Sequence, residues 1–121
     1  MNFRFPKSEK LKSSKTIELL FAEGKSFRNF PLKVVYLPQQ TGQATQATFA
    51  IPKRSFKTAV MRNRIKRQLR EAYRLNKALL LTNNGKNFAL LFLYISKDVP
   101  QYSELEKAMK MLLKKLHDEN N

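Results

Sequence analysis

The chain has 121 residues, 42% of them hydrophobic and 11% aromatic, which suffices for one buried core in a single domain spanning 1–121 and excludes two. Its 24 Lys and Arg against 9 Asp and Glu give a formal net charge of +15, a self-repulsion most simply relieved by a polyanion, with nucleic acid the leading candidate. The absence of cysteine excludes disulfides, thiolate metal sites and a cysteine nucleophile. No apolar run approaches the roughly 20 residues of a membrane span, so the expectation is a cytoplasmic protein with no membrane partner and no small-molecule substrate.

Residues 1–12 read as a basic, partly ordered N-terminal arm, its charge either incidental or aimed at phosphates. Ser13 or Ser14 can cap a helix running to about Glu23, with Gly24 tolerant of the left-handed conformation after its last turn. Ile17, Leu20 and Phe21 line the inner face of that helix, and core packing is their default role. Leu32-Lys33-Val34-Val35-Tyr36-Leu37 reads as a strand ended by Pro38. After a polar loop from Gln39 to Gln46, Ala47-Thr48-Phe49-Ala50-Ile51 reads as a second strand, antiparallel to the first. Pro52 breaks it and delivers a basic turn at Lys53-Arg54.

The stretch from Thr58 to Lys77 is the most informative part of the chain. Met61, Ile65, Leu69, Ala72 and Tyr73 recur at three- and four-residue steps, the spacing of one face of an α-helix. Lys66, Arg70, Asn63, Arg74 and Arg67 fall on the opposite side, Arg62 and Arg64 flank the stripe, and Glu71 is the only acid between Lys53 and Lys77. Such charge either solvates the helix or binds a partner. Its single sign and its preference for arginine, which contacts phosphate through several planar donors, favour a polyanion.

Leu79-Leu80-Leu81 extends that helix, and Asn83-Asn84-Gly85-Lys86 reads as a turn. The nearly continuous apolar run Phe88 to Ile95 is too short to span a membrane and reads as a strand covered on both faces. Ser103-Glu104-Leu105-Glu106 has the form of a capping box opening a last helix, with Leu105, Met109, Leu112 and Leu116 as its buried stripe. His117 reads as a surface residue. The fold class is therefore α+β, a single-domain sandwich of helices on a small, mostly antiparallel sheet, in the order α-β-β-α-β-α.

No Asp/Glu cluster, phosphate-binding glycine loop or nucleophile–base arrangement is present, so neither catalytic nor metal-ligating residues are assigned. The segment Arg62-Asn63-Arg64-Ile65-Lys66-Arg67, continued by Leu69-Arg70-Glu71-Ala72-Tyr73-Arg74, resembles the signature of the bacterial ribonuclease P protein family. That resemblance implies a left-handed β-α-β crossover around the basic helix, as in related ribosomal-protein domains. It also implies a protein subunit without catalytic groups of its own. By the same resemblance, a catalytic RNA is expected to bind the magnesium ions and remove the 5′ leader of precursor tRNA, with one protein per RNA.

Carried over by position, the resemblance puts Lys53, Arg54, Arg62, Asn63, Arg64, Lys66, Arg67, Arg70 and Arg74 against RNA. It places Ile17, Phe21, Lys33 and Val35 along a cleft for the single-stranded leader. The turn Lys53-Arg54-Ser55-Phe56-Lys57-Thr58 is one residue longer than the family's usual turn and lacks its glycine. A structural binder of ribosomal RNA or a general RNA chaperone is the alternative that composition alone allows.

Overall fold

The computed structural model describes residues 5–39, 44–80 and 87–119; the turn expected at residues 83–86 lies outside them, as does most of the loop after Gln39. The strand with the most apolar sequence sits in the middle. β4 (Phe88–Tyr94) is buried on both faces, which requires neighbours along both edges as well as layers above and below. β2 (Leu32–Pro38) pairs with it antiparallel on one side and β3 (Gln46–Ala50) pairs parallel on the other. The strand order is β1-β2-β4-β3.

Two expectations are corrected here. β2 and β3 are not an antiparallel pair, because β4 stands between them; the chain reaches β4 from β3 through the helix α2 (Ala59–Asn76), and such a return leaves the two strands parallel. The expected order also lacked β1 (Lys25–Asn29), an edge strand antiparallel to β2, so the helices and strands run α-β-β-β-α-β-α. Its sequence, Lys-Ser-Phe-Arg-Asn, offers a single apolar side chain and therefore no readable alternation. Phe30 and the cis-linked Pro31 connect it to β2, and the Pro31 carbonyl accepts a hydrogen bond from Ile95 N at 2.9 Å.

α2 and α3 (Tyr102–Glu119) cover one sheet face and α1 (Ser14–Glu23) the other. The first layer holds the main core. Ile65, Leu69, Ala72 and Tyr73 of α2 are buried as their spacing predicts, and so are Leu105, Met109, Leu112 and Leu116 of α3. Phe49 stacks on Phe92 with centroids 5.6 Å apart, and the Tyr73 ring meets both. Beneath α1 lies a smaller cluster of Leu11, Leu20, Val35, Ala89 and Leu91, with Ile17 packed at its margin. Phe21, expected on the inner face of α1, is 65% exposed.

Side chains cap two of the three helix starts. Ser13 Oγ accepts from Thr16 N, and Thr58 Oγ1 accepts from Met61 N, each at 3.3 Å. The box expected at Ser103 and Glu106 does not form, because α3 begins earlier, at Tyr102, with the Gln101 carbonyl accepting from Glu104 N and Leu105 N. Glu106 turns instead toward Tyr102 and Lys110. A short 3-10 turn, Lys77–Leu80, continues α2 as expected.

Residues 5–11, expected as part of a partly ordered arm, are docked. Phe5 stands edge-on to Phe49 and Tyr73, Leu11 is buried, Leu11 N donates to the Ala47 carbonyl at 2.9 Å, and Lys77 Nζ lies 2.8 Å from Glu9 Oε1. Gly24 is also not what its position suggested. Its φ of -65° needs no left-handed tolerance; a Cβ there would lie 2.4 Å from the Leu20 carbonyl oxygen and 2.5 Å from Val35 Cγ1. Gly24→Ala is therefore expected to push α1 off β2 and destabilise the fold by about 1–3 kcal/mol, the usual cost of overpacking. Thermal unfolding of the variant checks this; an unshifted midpoint would show that α1 can slide without loss.

Candidate functional site

The docked stripe of α2 fixes which of its cations face outward. Asn63, Arg64 and Arg67 are exposed, while Arg62, Lys66, Arg70 and Arg74 are half-buried. The outer face is not wholly free of acid, contrary to expectation. Glu71 stands one turn before Arg74 and accepts from its Nε at 3.0 Å; this hydrogen bond holds the Glu71 carboxyl below the usual range and raises the Arg74 guanidinium. Arg74 thus shares its charge with a neighbour. Arg64, Lys66, Arg67 and Arg70 form no ion pair among the described residues. Arg70 keeps its Nε buried without a hydrogen-bond acceptor among those residues.

The turn before α2 is compact despite having no glycine. The Pro52 carbonyl accepts from Ser55 N at 3.3 Å and from Phe56 N at 3.2 Å, closing one helical turn that leaves Lys53 and Arg54 exposed at its apex. Phe56 is buried, its ring 5.8 Å from that of Tyr94, and its carbonyl accepts from Arg62 Nη1 at 2.6 Å.

On the α1 side of the sheet the register aligns a second set of side chains. Arg28, Lys33, Leu93 and Ala50 are successive cross-strand partners and so share one face in a single row. The adjacent row is Ser26, Val35, Leu91 and Thr48, in which Val35 and Leu91 lie in the cluster beneath α1. Of the four residues assigned to the leader cleft, Val35 is thus a buried floor, Ile17 and Lys33 are half-buried, and Phe21 is open. Beyond the first row a groove of about 900 Å³ opens, lined by Arg28, Arg54, Leu93, Tyr94, Ile95 and Lys97, with Pro52 and Ser55 completing its wall.

Arg28 and Lys97 were not singled out from the sequence. Nothing local distinguishes them from other surface cations; only the sheet register and the end of β4 bring them beside Arg54. Together they make a cationic groove with an apolar bottom, suited to a phosphodiester backbone carrying unstacked bases. The groove wall shares Pro52, Arg54 and Ser55 with the turn that leads into α2.

Among the described residues no three His, Cys, Asp or Glu side chains come together as metal ligands. His117 lies at the end of α3 beside Asp118. No helix of the described residues is long and apolar enough to cross a membrane.

Comparison with known proteins gives a consistent outcome. The family model described as Ribonuclease P matches residues 5–117. The ribonuclease P protein component of Porphyromonas gingivalis is 38% identical over 92% of this chain and 85% of its own length. That of Clostridium botulinum is 33% identical over 90% of this chain and 95% of its own. Among solved structures, the RNase P protein from Thermotoga maritima shares the fold at a TM-score of 0.74 and 23% identity, covering 88% of this chain and 96% of its own. The Staphylococcus aureus RNase P protein does so at 0.69 and 21%, covering 88% and 93%.

Proposed function

The chain belongs to the ribonuclease P protein family, and from that premise we propose that it is the protein subunit that joins a catalytic RNA to precursor tRNA. The outer face of α2, chiefly Asn63, Arg64 and Arg67 with Lys66 and Arg70 at its margins, contacts the catalytic RNA. Lys53 and Arg54 stand between that helix and the face carrying Phe21 and Lys33, over which the 5′ leader passes. The observation that carries this reading is the set of α2 cations Arg64, Lys66, Arg67 and Arg70, which form no ion pair among the described residues, next to a cationic groove lined also by Leu93 and Ile95.

Cleavage belongs to the RNA, which holds the magnesium, and one protein serves each RNA. The protein's cations lower the repulsion where two polyanions converge, and this reduces the magnesium concentration the complex requires. Reconstitution tests the proposal. Added protein should raise cleavage of precursor tRNA by a cognate catalytic RNA at limiting magnesium, with little effect at high magnesium, and protein alone should cleave nothing. Equal stimulation by an unrelated basic protein would favour a general RNA chaperone instead.

A further inference from the structure

The geometry points to Arg62, the first arginine of the Arg-Asn-Arg signature, as a positioning residue that holds the Lys53-Arg54 turn, not as one of the side chains that grip phosphate. This rests on the reading of Lys53 and Arg54 as RNA contacts. At about 100° per residue, Arg62 falls on the helical wheel between Leu69 and Tyr73, on the side of α2 that faces the core, while Asn63 and Arg67 fall opposite. Burial agrees with the wheel: Leu69 and Tyr73 are buried, Arg62 is half-buried, and Asn63 and Arg67 are exposed.

From the first turn of α2 the Arg62 guanidinium turns back to the loop before the helix. Nη1 donates to the Phe56 carbonyl at 2.6 Å, the short separation of a charge-assisted bond. The turn so held has weak closure of its own, since its two bonds to the Pro52 carbonyl, at 3.3 and 3.2 Å, lie at the long end of the N–H···O range. Phe56 is thereby fixed from two sides, its ring against Tyr94 and its carbonyl under Arg62. Lys53 and Arg54 stand three and two residues before this fixed point. Holding them before RNA arrives removes part of the ordering cost of binding.

The test is a double-mutant cycle in the reconstituted holoenzyme, reading the ratio of affinities for precursor tRNA with and without its leader. Arg62→Ala and Arg54→Ala should each reduce that ratio roughly tenfold, the scale of one hydrogen bond to a charged group. The double variant should lose no more than either single one, because Arg62 acts through the turn. In the free protein, Arg62→Ala should speed hydrogen exchange at the Ser55 and Phe56 amides while the melting temperature moves only a few degrees.

Additive losses in the cycle would overturn the proposal. So would unchanged exchange at those amides together with a salt dependence of RNA binding flattened by the full ~0.9 that one duplex phosphate contact contributes. If Arg54→Ala leaves the leader ratio intact, the reading of the basic pair as an RNA contact fails, and the role of Arg62 falls with it.

Discussion

Replacing Arg64 and Arg67 together by alanine is expected to weaken binding of the catalytic RNA about thirtyfold at 0.15 M monovalent salt and about two-hundredfold at 0.05 M. The estimate follows from counterion release, in which each phosphate neutralised on a duplex contributes roughly 0.9 to the slope of log K against log salt. Two contacts remove about 1.8 from that slope, and the loss grows as salt falls below the molar reference. Both side chains are exposed on the outer arc of α2 and neither has an ion pair among the described residues, so their charge is available in full.

Arg74 supplies the contrast within the same helix. Its guanidinium is shared with Glu71, so Arg74→Ala should flatten the slope less than either exposed arginine does. Titration of binding across a salt series measures all three. A double variant with the parent slope would mean that these arginines meet only solvent, and the interface assigned to α2 would be lost. The core-facing stripe is untouched by these changes, so the folded state should survive them with its unfolding midpoint nearly constant.

The parts of the fold that were legible in the sequence are those where a single physical constraint dominates. α2 has a strict apolar period and a proline upstream, and it runs Ala59–Asn76 within the stretch read from Thr58 to Lys77. β4 is apolar along its whole length, which forces a central place in the sheet. What stayed hidden depends on pairing across distance. β1 carries too few apolar side chains to declare itself and becomes a strand because β2 offers it an edge. The partner of β3 is decided by β4, some forty residues further on, and no local feature of β3 states it.

The site divides in the same way. The cations of α2 were readable because helical geometry alone assigns them a direction. The partners of Arg62 and Arg74, the Phe56 carbonyl and the Glu71 carboxylate, stayed hidden because side-chain reach decides them. Arg28 and Lys97 join the groove only through the order of strands and the path of the chain after β4. Phe21 shows the limit of the wheel at its edge: it lies beside Ile17 on the apolar side of α1, yet its ring is 65% exposed where Ile17 is half-buried.

Phe21→Ala is accordingly expected to impair recognition without harming the fold. The ring is 65% exposed, so truncation gives up little buried surface and should cost less than about 1 kcal/mol of stability, far from the 3–5 kcal/mol of a buried phenylalanine. Stacking of an unpaired base on an aromatic ring is worth roughly 1–3 kcal/mol. The advantage that a leader confers on substrate affinity should therefore fall between about fivefold and about 150-fold, while affinity for mature tRNA is unaffected. Phe21→Leu separates ring stacking from mere apolar contact, since leucine keeps bulk and loses the π-face. Partial recovery by leucine would assign the contact to burial of the base, and no recovery would assign it to stacking. An unchanged leader advantage in Phe21→Ala would remove this residue from the path of the RNA, and a collapsed melting temperature would return it to the core.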